Sequence, residues 1–180
     1  YIESGKIDIS IYSYKPERIK TMFYNSIPLF VSEYGFASRS EDKIEINKLS
    51  DIESFKFGHL SGLTYTPELQ QIVSHKKEMK QLTVGYDLDA MFKQLLAKTP
   101  RFQLMSNSKE TLKWQAHELD VSDKIKIHDF VLKEKAYYIA VSKKSKNITN
   151  PTMFLQNMDK CISSYKLSTK YQKLLLSYGL

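Results

Sequence analysis

The spacing of apolar residues switches repeatedly between two periods along this chain, and that switching most narrows the folds open to it. Ile7, Ile9 and Ile11 alternate with Asp8, Ser10 and Tyr12, which is the period of a strand with one β-branched face. Leu88, Met91, Phe92, Leu95 and Leu96 instead recur at helical spacing between Asp87 and Lys98, and Pro100 ends that run. Further strands are expected at Leu29–Ala37, Phe55–Leu60, Gln81–Gly85, Phe102–Met105, Ile125–Ile127 and Tyr137–Val141. Helices are expected after Thr66-Pro67-Glu68, over Ser108–Leu119, over Asn150–Tyr165 and over Ser168–Tyr178, with a short one at Lys15–Met22. Thr66 is an N-cap type, Pro67 suits the first helical position, and Glu68 favours the positive helix end. Ser40–Leu49 reads as a charged connection. Strands and helices that alternate in this way predict an α/β fold with a largely parallel sheet.

The chain has 180 residues, enough for one domain or two small lobes, and 42% of them are hydrophobic. A net charge of +7 raises the question of a nucleic-acid partner. Lysines such as Lys43, Lys56, Lys76, Lys133 and Lys146 are scattered along the sequence rather than gathered on one helix, so a solvated surface is the expectation and no nucleic acid is assigned. The single cysteine, Cys161, cannot form an intrachain disulfide and is expected to be a small buried hydrophobe in a helix. No secretory signal is present, and Tyr1 is an unusual first residue, which fits a leader removed upstream.

The chemistry-bearing residues give no positive case for an enzyme. His59, His75, His117 and His128 are far apart and lack metal-ligand spacing, so neither a metal nor any other cofactor is expected. "GHLSG" has the outer glycines of a nucleophile elbow, but its central residue is Leu60. Two features remain. Arg18 follows a strand end with a guanidinium suited to a carboxylate, and Ser61-Gly62-Leu63-Thr64 forms a small polar loop ahead of a helix, where backbone N–H groups favour an anion. The plainer alternatives are an Arg18–Glu17 pair and an ordinary turn.

The order of motifs adds to this. "SGKIDISIYSYKPER" at 4–18, "YNSIPLF" at 24–30, "FKFGHLSGLTYTPEL" at 55–69, "KTPRFQLMSNSKETL" at 98–112 and "KAYYIAVSKKS" at 135–145 together resemble the bacterial extracellular solute-binding proteins of family 3. The resemblance runs over nearly the whole chain. It implies a type II periplasmic-binding fold, with two α/β lobes joined by hinge strands and the first lobe incomplete at the N-terminus. Residues 1–30 and 129–180 would form lobe one and residues 31–128 lobe two, with ligand held where the lobes close.

By position, the resemblance makes Arg18 the grip on a ligand carboxylate, with Ser13 assisting and Ser61, Gly62 and Thr64 capping the same group. Where the family usually holds the ligand ammonium with an acid, this chain has the neutral Asn107 and Ser108, and the usual "GRxD" is "PRFQ". The implied function is capture of a small polar solute, such as an amino acid, for ABC-type import through a membrane permease, in the periplasm. A sensory module of the same fold, a member without a small ligand, and an enzyme relative needing a buried acid or base in the cleft are the alternatives. A homodimer or swapped assembly is left open.

Overall fold

A computed structural model describes residues 1–180. In chain order the strands are β1 (Ile9–Ser13), β2 (Met22–Tyr24), β3 (Phe30–Arg39), β4 (Phe57–Leu60), β5 (Leu82–Gly85), β6 (Leu104–Ser108), β7 (Ile125–Ile127) and β8 (Lys133–Ser142). The helices are α1 (Pro67–Glu78), α2 (Leu88–Leu95), α3 (Lys109–Glu118), α4 (Pro151–Lys166) and α5 (Thr169–Ser177). The chain divides into two compact units, Tyr1–Ser32 with Lys135–Ser177, and Glu33–Glu134 with Tyr178–Leu180. The long strands β3 and β8 carry the chain from one unit to the other. Residues 129–134 thus fall in the second unit.

In the first unit, β8 runs antiparallel to both β1 and β2, and Val141 lies opposite Ile9 on one side and Phe23 on the other. Period-two alternation sends Tyr12, Tyr24 and Ala140 to one face, where they pack with the buried Ile2 and Met22. Ile9 and Ile11 lie on the opposite face and are exposed. α4 is tied to this sheet through Asp159, whose carboxylate accepts from Asn25 Nδ2 (2.7 Å) and from the backbone N–H groups of Ser26 and Ile27. Burial pushes that carboxyl up, but these hydrogen bonds outweigh it and hold the group below its ordinary range.

In the second unit, β4 is flanked by β5 and β6, both parallel to it, while β3 is antiparallel to β6 and β7. Adjacent residues of each strand feed opposite faces. Phe36, Phe57 and Leu104 join Ile52, Leu69 and Val73 on the α1 side. Ala37 and Met105 join Met91, Phe92, Leu95, Phe102 and Leu112 on the α2–α3 side. Burying both faces of a sheet in this way is the layered solution expected of α/β units.

Several expectations need correction. The sheet is not largely parallel, because among the pairings given above only those of β4 with its two neighbours are parallel and the others are antiparallel. Hydrophobic period identifies a strand but carries no information about its direction. The short helix expected over Lys15–Met22 is of the 3₁₀ type and is shorter than expected. Pro16 starts a single 3₁₀ turn, Pro16–Lys20, and Met22 already belongs to β2, paired with Ser142. The charged connection after β3 hides two core residues, Ile44 and Ile46, each 4% exposed. Cys161 is exposed rather than buried. It lies one residue before the buried Ile162 on α4, outside the stripe formed by Leu155 and Ile162.

Candidate functional site

In the first unit the site is built around Arg18. The 3₁₀ turn after β1 brings its guanidinium back over the strand it has just left. Nη1 donates to the Ser13 carbonyl at 3.1 Å, and the guanidinium carbon sits 4.9 Å from the centre of the Tyr12 ring. A cation over an aromatic face is held electrostatically while its planar edge stays available to an anion. Glu17 does not pair with it, because that carboxylate lies 3.9 Å from Lys15 Nζ. No acidic side chain forms an ion pair with Arg18. Ser13 is buried, and its carbonyl, not its hydroxyl, engages Arg18.

Tyrosines crowd around this guanidinium. Tyr24 packs edge-on against Tyr14 at 5.6 Å and against Tyr138 at 6.4 Å. Burial pushes the Tyr24 phenol up, and the neighbouring Arg18 charge pulls in the opposite direction. Tyr14 and Tyr24 also line a cavity of about 360 Å³ that reaches Asn25 and Asp159 on the α4 side, and Arg18 is not one of its walls. Sequence reasoning did not single out these tyrosines. Tyr12 sits directly opposite Tyr138 in the β1–β8 register, so the grouping depends on a pairing between residues more than a hundred positions apart.

In the second unit, Ser61, Gly62 and Thr64 form the exposed loop between β4 and α1. Ser61 N–H donates to Gly85 O at 2.7 Å and Leu63 N–H to Leu60 O at 3.2 Å, so neither of these amides is spare. Gly62 has φ +88°, and the space beside its Cα is open. Thr64 offers its carbonyl to Lys133 Nζ at 3.1 Å. The helix itself starts later. Thr66 Oγ1 accepts from Leu69 N–H, and Pro67, which has no N–H, is the first helical residue. Beside the loop, His59 Nδ1 and the buried Tyr65 hydroxyl are 2.9 Å apart, and burial pushes the His59 pKa down and the Tyr65 pKa up.

Asn107 and Ser108 close β6 and open α3. Ser108 Oγ accepts from Thr111 N–H at 3.1 Å, and Asn107 Oδ1 accepts from Ser108 N–H at 2.8 Å. Both are mostly buried, and both bonds serve the start of the helix. No cluster of three or more His, Cys, Asp or Glu side chains is arranged to hold a metal ion.

The strand order of each unit and the helices packed on them define a type II periplasmic-binding fold, and comparison with solved structures shows the same. Substrate-binding domain 2 of Lactococcus lactis GlnP, in its open conformation, matches with a TM-score of 0.67 at 20% identity, over 98% of this chain and 71% of that one. An ancestral cationic amino acid solute-binding protein matches with a TM-score of 0.68 at 16% identity, over 99% of this chain and 72% of that one. A histidine kinase sensor domain with similarity to periplasmic binding proteins gives 0.55 at 13% identity, over 98% and 72%. No family model matches the chain, and no curated protein does. The fold expected from the order of motifs is therefore the fold found, and 28–29% of the length of each of these neighbours has no counterpart here.

Proposed function

We propose that this chain is a solute-binding module, not an enzyme, that captures a small polar ligand through a carboxylate and works outside the cytoplasm with a membrane permease. One observation carries the reading. Arg18 is held in place by a carbonyl and a tyrosine ring, yet has no acidic partner. A cation fixed in this way and left uncompensated suits an incoming carboxylate. Ser13 would set the position of Arg18 rather than touch the ligand with its hydroxyl. On this reading the two units are the two lobes. Solved neighbours include an amino acid ABC transporter substrate-binding protein bound to L-arginine, which supports an amino acid or a related carboxylate as the ligand class.

Titration calorimetry with L-amino acids, their deaminated carboxylates and dicarboxylates tests this. Binding by at least one series is expected, and Arg18→Ala should weaken it by about 2–3 kcal/mol, the worth of a charge-assisted pair. Arg18→Lys should recover only part of that, because a point charge lacks the planar fork. Equal binding by wild type and Arg18→Ala, or no binding by any member of the panel, would sink the proposal. The likeness to a histidine kinase sensor domain supports a second reading, in which ligand binding signals to a partner instead of feeding a transporter. Stimulation of a permease's ATPase by the loaded protein favours import, and its absence alongside tight binding favours signalling.

A further inference from the structure

The charge of this protein is not spread evenly over its two units. The first unit carries twelve Lys and Arg against four Asp and Glu, a net of +8, and the second carries fifteen against sixteen, a net of −1. Past Asp159 there is no acidic residue through Leu180, and that stretch holds Lys160, Lys166, Lys170 and Lys173. Lys166 is occupied at the Pro28 carbonyl, while Lys160, Lys170 and Lys173 pair with no carboxylate.

The same stretch is unusually apolar at its surface. α4, α5 and the start of β3 enclose a groove of about 490 Å³ lined by Leu29, Phe30, Ile162, Tyr165, Tyr171 and Leu174 among others. An adjoining concavity shares Cys161 and Tyr165 with the groove and carries Lys160 and Lys170 on its walls. Helical spacing puts Lys170, Lys173 and Leu174 within about a third of the α5 circumference. Leu167 and Leu176 stand outside the groove, 87% and 70% exposed.

We propose that this α4–α5 face seats on an anionic lipid bilayer. Unpaired lysines interleaved with leucine and tyrosine are the composition of a helix lying in a membrane interface. A bilayer fits better than an acidic peptide for a geometric reason. Leu167 and Leu176 are exposed and line no part of the groove, so a peptide confined to it would leave both in water, and a bilayer is the occupant we commit to. No helix is long and apolar enough to cross the membrane, so the face rests on the surface. The proposal is independent of the solute-binding reading, since Arg18 lies elsewhere in the unit.

Co-sedimentation of the 180-residue protein with vesicles of phosphatidylcholine, alone or mixed with phosphatidylglycerol, tests it. Partition onto the anionic vesicles should dominate and fall with added salt. Lys170→Gln with Lys173→Gln should lower it by roughly 25-fold, about fivefold per lysine. Leu167→Ser with Leu176→Ser should lower it further at low salt, and because both side chains are exposed the thermal melt should not move. Equal partition onto neutral and anionic vesicles overturns the proposal, as does full binding by the double-leucine variant. So does stoichiometric displacement from vesicles by an acidic helical peptide, equal affinity for duplex DNA, or a dimer in sedimentation velocity that the leucine variant dissolves.

Discussion

Replacing Asp159 by asparagine should lower stability near neutral pH by an amount that disappears in acid. The carboxylate accepts from Asn25 Nδ2 at 2.7 Å, from Ile27 N–H at 2.9 Å and from Ser26 N–H at 3.1 Å. Asn25 in turn accepts from Ile139 N–H at 2.8 Å, so one acid pins the end of β2 to both α4 and β8. The amide in Asp159→Asn keeps the shape but offers one acceptor without charge. Hydrogen bonds to an ionised group contribute about 1.5–3 kcal/mol each, and one or two of them weaken, so the expected loss near neutral pH is about 2–3 kcal/mol. For a chain of this size that lowers the melting temperature by roughly 4–10 °C.

The folded Asp159 carboxyl lies below its ordinary value of 3.8, so the unfolded chain binds its proton more readily. Its stabilisation is therefore complete above the ordinary value and is lost as pH falls through the lower, folded value. Asp8, Glu45 and Asp51 are also held low, but they are common to both proteins and cancel in the difference. Urea unfolding of both proteins across a pH series should give a constant gap near neutrality that closes in acid. A gap that persists unchanged in strong acid, or no gap at neutrality, would refute the assignment of the stabilisation to the ionised carboxylate.

Two further outcomes follow from the second unit. Gly58 on β4 leaves no room for a side chain, since an added Cβ would lie 2.6 Å from Phe102 Cε2 and 2.7 Å from Met91 Cε, both in a fully buried cluster. Gly58→Ala should cost about 1–3 kcal/mol in urea unfolding, with far-UV circular dichroism unchanged. His128 is 2% exposed, sits 3.0 Å from Ser38 Oγ through Nε2, and has its pKa pushed down by burial and by Lys126. Its neutral form is the one the fold holds, so wild-type stability should fall as pH drops below its ordinary 6.5 toward the lower folded value, and His128→Asn should reduce that fall, leaving the part due to His59, whose pKa burial also pushes down.

Local chemistry was legible where it acts locally. Thr66 with Pro67, Asp87 and Ser108 open their helices as their residue types require, and each accepts the expected backbone N–H. The α2 stripe of Met91, Phe92 and Leu95 is fully buried, as its spacing demands. Arg18 could be singled out as a cation after a strand end, but its setting could not. The carbonyl at Ser13 and the ring at Tyr12 come from the tight 3₁₀ turn, and the Tyr24–Tyr138 contact comes from register between distant strands.

What the sequence determined by itself was the kind of element over most of the chain and the alternation that makes it α/β, because period and capping depend on residues within a few positions of one another. Strand direction, the burial of Ile44 and Ile46 in a charged connection, the exposure of Cys161 and the gathering of sixteen of the twenty acidic residues into one unit were decided only by the tertiary structure. Each of these depends on which distant segments meet, and a one-dimensional pattern holds no record of that meeting.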